Sequence, residues 1–151
     1  MIEAVVFDYT NTISEMETGN LYPEVLNVLE ELVGRGIRLG LVSRASNAKD
    51  RLSEFNNLDL GRYFEVIDVV LVGNNKNFDE ILKKLDVKPK ETIIVGDRVK
   101  SEILEGNRIG ARTVWIRRGR FATEEPETDL EQPDYRIDSL VQLLEIVDKL
   151  S

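Results

Sequence analysis

Five short runs rich in β-branched residues recur along the chain: "IEAVVF" (2–7), "IRLGLV" (37–42), "VIDVVLV" (66–72), "TIIV" (92–95) and "RTVWI" (112–116). They are nearly continuous in apolar residues rather than alternating, which suits strands covered on both faces. Helical patterns separate them. In "PEVLNVLEELVGRG", Val25, Leu26, Val28, Leu29, Leu32 and Val33 form one apolar stripe, with Pro23 in a first turn and Gly34 or Gly36 to end the helix. "SNAKDRLSEF" offers Ser46 as an N-cap, and "FDEILKKLDV" sets Phe78, Ile81, Leu82 and Leu85 at helical spacing. "KSEILEGNRIG" does the same with Ile103, Leu104 and Ile109, and "DSLVQLLEIVDKL" closes the series as an amphipathic helix capped by Asp138 or Ser139. Strand and helix in alternation predict an α/β fold, with a parallel five-stranded sheet and helices on both faces.

With 151 residues and 42% hydrophobic content, the chain is expected to form one domain, 1–151. No internal repeat or linker interrupts it. Gly34, Gly36 and Gly40 precede a strand instead of following one, so they do not read as a dinucleotide loop. The segment 117–135, basic and then strongly acidic, is expected to be a solvated surface loop packed by Phe121, Leu130 and Tyr135.

Two absences narrow the chemistry. The chain has no Cys and no His, which removes Ser-His-Asp and Cys-His nucleophilic systems and the usual zinc and haem ligands. Carboxylates, Lys, hydroxyls, backbone amides and a hard metal ion remain. A formal net charge of -8 works against attraction to nucleic acid or anionic membrane. The first apolar run follows Glu3, and no stretch approaches the roughly 20 apolar residues of a membrane span, so a soluble cytoplasmic protein is expected.

In a parallel sheet of this kind, ligands bind beyond the carboxyl ends of the strands. The residues expected there are Asp8 with Thr10 and Thr12 after the first strand, Ser43 after the second, Lys76 a few residues past the third, and Asp97 with Glu102 after the fourth. Each has an ordinary alternative: Asp97 could cap a helix, Ser43 could be a turn residue, Lys76 could be one exposed lysine among many, and Glu102 could be a first-turn acid. Their conjunction points to a site for an anion and a metal ion.

"VVFDYTNT", "LVSRAS", "NNKNFDEILKKLDVKPKETIIVGDRVKSEI" and "GNRIGARTVWIRRG" resemble, in order and over nearly the whole chain, the motifs of the haloacid dehalogenase (HAD) superfamily. The resemblance implies a three-layer Rossmann-like fold and a Mg²⁺-dependent phosphohydrolase. Asp8 would be the nucleophile that forms an aspartyl-phosphate. Ser43 would hydrogen-bond a phosphoryl oxygen, with Arg44 beside it, and Lys76 would neutralise the phosphate. Asp97, Asp8 and the Thr10 carbonyl would hold Mg²⁺, with Ser101 and Glu102 behind them.

Four features depart from the family pattern. Thr10 stands where its phosphatases carry the acid/base Asp, which implies slow hydrolysis, although P-type ATPases of the same superfamily also carry Thr there. Glu102 replaces a commoner Asp, and Lys76 lacks the usual following Pro, leaving Lys83, Lys84, Lys88 and Lys100 as competitors. Neither gap that could hold a cap domain is long enough for one. A capless member takes a phosphorylated small molecule or a large phosphorylated partner, or covers its site by oligomerising. The alternative reading is a regulatory module of the same fold that binds phosphate and Mg²⁺ with little turnover. Arg44, Asn47, Arg117, Arg118 and Arg120 are candidates for touching a substrate, against ordinary surface roles.

Overall fold

A computed structural model describes residues 1–151. The strands are β1 (Ala4–Asp8), β2 (Arg38–Ala45), β3 (Val66–Leu71), β4 (Thr92–Gly96), β5 (Arg112–Ile116) and β6 (Tyr135–Ile137). The helices are α1 (Val25–Gly34), α2 (Ala48–Asn57), α3 (Phe78–Leu85), α4 (Leu104–Ile109) and α5 (Val141–Leu150). All six strands pair in parallel, in the order β3-β2-β1-β4-β5-β6. No helix is long and apolar enough to cross a membrane.

Side chains alternate across the sheet. Val5 and Phe7 face a cluster completed by Val25, Val28, Leu29 and Leu32 of α1, Phe55 of α2, and Leu143, Ile146 and Val147 of α5. Ala4 and Val6 face the opposite cluster, with Phe78, Ile81, Leu82 and Leu85 of α3. β1 is buried at all five positions, which is why its sequence lacks a polar face.

The structure corrects several local expectations. The sheet has six strands, not five; β6 has only three residues, with no apolar run, and is held by pairing with β5. The stripe of α1 is narrower than expected, since Leu26 and Val33 are 42% and 44% exposed. Asn47, not Ser46, caps α2, its side chain accepting from the Asp50 N–H at 3.0 Å. Neither Asp138 nor Ser139 is the N-cap of α5; Leu140 holds that place, and Glu24 Oε2 from the start of α1 accepts from its N–H at 3.1 Å. Gly36, with φ of +81°, turns the chain out of α1 as a glycine can.

Segment 117–135 is more than a surface excursion. Glu124 Oε1 accepts from the Val99 N–H at 2.7 Å, and Glu124 Oε2 pairs with Arg98 at 3.1 Å. The loop is thereby drawn back across the carboxyl edge of the sheet. Leu130 is 44% exposed and does not pack as expected, because that stretch is held instead by Asn107 Nδ2 donating to the carbonyls of Leu130 and Gln132.

Candidate active site

The chain runs outward through β1, β2 and β3, then returns to lay β4 against the other side of β1. That reversal opens a crevice beyond the carboxyl ends of β1 and β4. Asp8 is the last residue of β1, and Asp97 directly follows β4. Lys76 reaches back from the loop after β3, its Nζ donating to Asp8 Oδ1 at 2.6 Å and to Glu102 Oε2 at 3.1 Å. Ser101 Oγ donates to the same Glu102 oxygen at 2.6 Å. Carboxylate oxygens of Asp8, Asp97 and Glu102 lie within 4.8 Å of one another. All three residues are buried, and Glu102 Oε1 has no hydrogen-bond partner.

Glu102 is aimed inward by an unusual piece of backbone. Residues Val99–Ile103 form a π-helical turn ahead of α4. Such turns insert an extra residue into a helix and are frequent at functional sites. Glu102 then passes so close to the end of β4 that a Cβ on Gly96 would lie 2.4 Å from Glu102 Cγ. Gly96→Ala is therefore expected to displace Glu102 from Lys76 and to cost about 1–3 kcal/mol, as overpacking of a tight interior does. A thermal melt that matched wild type would contradict this packing.

Burial raises the pKa of Asp8, the Glu102 charge adds to the rise, and Lys76 opposes it. Asp97 is pushed up to about 9, first by burial and then by the charges of Asp8 and Glu102. Burial alone would lower Lys76, but Asp8 and Glu102 hold it above its ordinary value. With all three carboxyls ionised, one ammonium would leave excess negative charge out of water, which a bound cation would offset. The oxygens gathered here are all hard donors, and the unpartnered Glu102 Oε1 beside them adds to the uncompensated polarity, which suits a hard divalent ion such as Mg²⁺.

A pH dependence follows with a definite sign. Asp97 keeps its proton in the folded protein up to about pH 9, whereas the unfolded chain releases it near the ordinary carboxylate value. The folded state thus binds more protons between those limits, and its stability falls as pH rises through them. In chelator the melting temperature is expected to fall from pH 5 to pH 8, and added Mg²⁺ should raise it more at pH 8 than at pH 5. A Mg²⁺ effect that is flat or larger at pH 5 would remove the carboxylate cluster as the ion's seat.

A cleft of about 500 Å³ opens over these groups, lined among others by Asp8, Thr10, Arg44, Lys76, Asp97, Ser101 and Glu102. Ser43 is not on its wall. β2 continues to Ala45, so Ser43 is inside the strand and paired with Val69, not beyond its end. Its hydroxyl accepts from Arg51 Nη1 at 2.5 Å, and Arg51 stands on the cleft wall. Two further contacts fix Arg51: its guanidinium lies 5.1 Å from the Tyr9 ring centre and its Nε is 3.7 Å from Glu54 Oε2, the oxygen to which Tyr9 OH also donates. Sequence reasoning missed Arg51, because a lone arginine in a polar helix carries no signal of its own.

The other candidates separate. Lys84 pairs with Glu80 and Lys100 with Glu127, both on the surface. Arg118 is structural, paired with Glu24 at 2.9 Å and stacked 3.6 Å from the Tyr22 ring centre. Arg117 pairs with Asp138. Arg120 and Phe121 reach the cleft, as does Arg98; Asn47 does not.

Residues 74–143 match the family model described as HAD-hydrolase-like. A glyceraldehyde 3-phosphate phosphatase from Methanopyrus kandleri is 36% identical over 135 residues, 86% of this chain and 58% of its own length. The chain belongs to the HAD superfamily. Pyrophosphatase PpaX of Bacillus mycoides is 31% identical over 86% of the chain and 61% of its own length, so this HAD chain spans little more than half of either relative. An uncharacterized protein from Listeria monocytogenes serotype 4b shares the HAD fold end to end, with a TM-score of 0.80 over 99% of this chain and 98% of the other at 19% identity.

Proposed function

We propose that the chain is a Mg²⁺-dependent phosphohydrolase working through an aspartyl-phosphate on Asp8. The observation that carries this reading is the buried Asp8 at the crevice, held at 2.6 Å by Lys76 and sharing its oxygen cluster with Asp97. The relatives' names, one a phosphatase and one a pyrophosphatase, point the same way.

Asp8 attacks the phosphoryl group and displaces the leaving group, and water then cleaves the aspartyl-phosphate to release phosphate and restore Asp8. Lys76 neutralises the incoming phosphate and holds the Asp8 carboxylate in one orientation. Arg51 carries the anion-binding duty on that wall, with Ser43 fixing its guanidinium. Asp8, Asp97 and the Thr10 carbonyl would hold Mg²⁺, with Glu102 supporting the site through Lys76. When bound, the ion offsets the repulsion between substrate and carboxylates and stabilises charge on the transferring group. Thr10 offers a hydroxyl where a carboxylic acid would protonate the leaving group, so turnover is slow for poor leaving groups.

The test is phosphate release from p-nitrophenyl phosphate with and without Mg²⁺, paired with acid quenching of a labelled substrate. Label that stays on the protein and is removed by hydroxylamine identifies an acyl phosphate. Release that ignores Mg²⁺, or no label at any time during turnover, would count against the mechanism. Binding of beryllium fluoride with Mg²⁺ but no turnover would favour the regulatory module, the reading that Thr10 motivates.

A further inference from the structure

Asp8, Asp97 and Glu102 stand on two separate stretches of chain, the end of β1 and the turn after β4. Their oxygens lie within 4.8 Å of one another and repel when ionised. Lys76 joins Asp8 to Glu102 from inside the cluster, but its two hydrogen bonds leave Asp97 out. The spacing of the two stretches therefore needs support from outside the cluster, and the chain leaving β5 supplies it.

The sheet order β1-β4-β5 means that a segment running from β5 to the loop after β1 must cross the end of β4. The segment 118–124 takes that course. Arg118 donates to the Thr12 carbonyl, and a Cβ on Gly119 would come within 2.5 Å of Asn11 Cγ. Arg118 is in turn held by Glu24, which also accepts from Ser139 Oγ and the Leu140 N–H, both at 3.1 Å. The loop after Asp8 is thus tied to the body of the fold through this segment.

The stretch after β4 is gripped from the same direction. Trp115, opposite Gly96 in the β4–β5 pairing, donates from its buried Nε1 to the Asp97 carbonyl at 3.0 Å. Glu124 then takes hold of the next three residues. Its Oε1 accepts from the Val99 N–H at 2.7 Å and from the Lys100 N–H at 3.4 Å, and its Oε2 pairs with Arg98 at 3.1 Å. Val99 and Lys100 open the π-helical turn, so their N–H groups have no partner within it, and a carboxylate is the strongest acceptor a side chain can offer them. The Glu124 side chain is only 10% exposed, whereas Glu127, which pairs with Lys100 nearby, is 69% exposed. The first contact is a fixed clamp and the second an ordinary surface ion pair.

We propose that the segment 118–124 braces the two carboxylate-bearing stretches against each other, and that Glu124 is a positioning residue that sets Asp97 and Glu102 for a divalent cation. This rests on the reading of the carboxylate cluster as the Mg²⁺ seat. Groups behind a metal's ligands govern its affinity because they fix ligand orientation before the ion arrives. A Glu124 that only fastened a surface loop would contribute to stability and leave Mg²⁺ binding untouched.

The experiment measures Mg²⁺ binding to the full chain by calorimetry, with melting temperature and p-nitrophenyl phosphate turnover alongside, in wild type, Glu124→Ala, Glu124→Asp, Glu124→Gln and Glu127→Ala. Glu124→Ala is expected to weaken Mg²⁺ by about 10- to 100-fold, the usual effect of removing a group that orients a ligand. Glu124→Asp keeps the charge but loses the reach to Val99 and Arg98 together, and should weaken Mg²⁺ by about 10-fold. Glu124→Gln retains an oxygen for the Val99 N–H and should recover most of the affinity, and Glu127→Ala should bind as wild type does. Wild-type Mg²⁺ affinity in Glu124→Ala, even with a lowered melting temperature, would overturn the proposal and leave the Mg²⁺ seat standing. If Glu124→Ala does not fold, wild-type affinity in Glu124→Asp has the same meaning. Wild-type protein that binds no Mg²⁺ would remove the seat and the brace together. Mg²⁺ affinity that depends on Glu124 in a protein without turnover would uphold the brace and move the whole chain to the regulatory reading.

Discussion

Asp8→Asn is expected to reduce phosphate release by on the order of 10³-fold or more while leaving the protein folded. An amide oxygen is a far weaker nucleophile than a carboxylate, so on the proposed mechanism the first displacement loses its attacking group. The stability expectation makes the test clean. Asp8 is one of three buried carboxylates around a single ammonium, so removing its charge reduces the repulsion that pushes Asp97 up to about 9. Lys76 retains Glu102 at 3.1 Å and is not stranded. In chelator the variant should melt at or above the wild-type temperature, and Mg²⁺ should stabilise it less than wild type. A variant that melts normally yet keeps its turnover would place the nucleophile elsewhere. One that melts far below wild type in chelator would show that the Asp8–Lys76 pair is a structural necessity.

The parts of the fold that could be read in the sequence are those whose burial is two-sided. β1, β4 and β5 run between helical layers and carry near-continuous apolar stretches, so their positions follow from composition alone. β6 has no such stretch; it exists because β5 offers an edge and the chain returns along it. β2 outruns its apolar stretch for the same reason. Pairing with β3 extends it through Ser43 and Arg44 to Ala45, and residue-by-residue patterning does not register a neighbour supplied from 26 residues away. The catalytic candidates were legible because each follows an apolar run at the same sheet edge. What escaped was the support around them. Arg51 gains its place by stacking on Tyr9 and pairing with Glu54, and Glu124 is one acid in an acidic loop until Val99 and Arg98 meet it. These depend on contacts between distant segments, for which a single sequence has no periodicity to offer.

Thr10→Asp should raise turnover, and should do so unequally among substrates. Thr10 lines the cleft directly after Tyr9, at the position where a carboxylic acid could protonate a departing oxygen. A positioned acid contributes roughly 10²- to 10⁴-fold when the leaving group is strongly basic. For glycerol 3-phosphate, whose alkoxide is a poor leaving group, kcat is therefore expected to rise about 100-fold, or about 2.7 kcal/mol of barrier. For pyrophosphate the leaving phosphate is already a stable anion, and the gain should be less than about 10-fold. The new carboxyl joins Asp8 and Glu15 on the cleft wall, so its pKa should be held up by their charge, which favours the protonated form that can donate. Measuring kcat for both substrates in wild type and variant reads the difference directly. A large rise for glycerol 3-phosphate alone would mean that Thr10 restricts the wild-type protein to good leaving groups. An equal rise for both would mean that the added acid acts on hydrolysis of the aspartyl-phosphate, the step the two substrates share. No rise for either would remove Thr10 from the acid/base position.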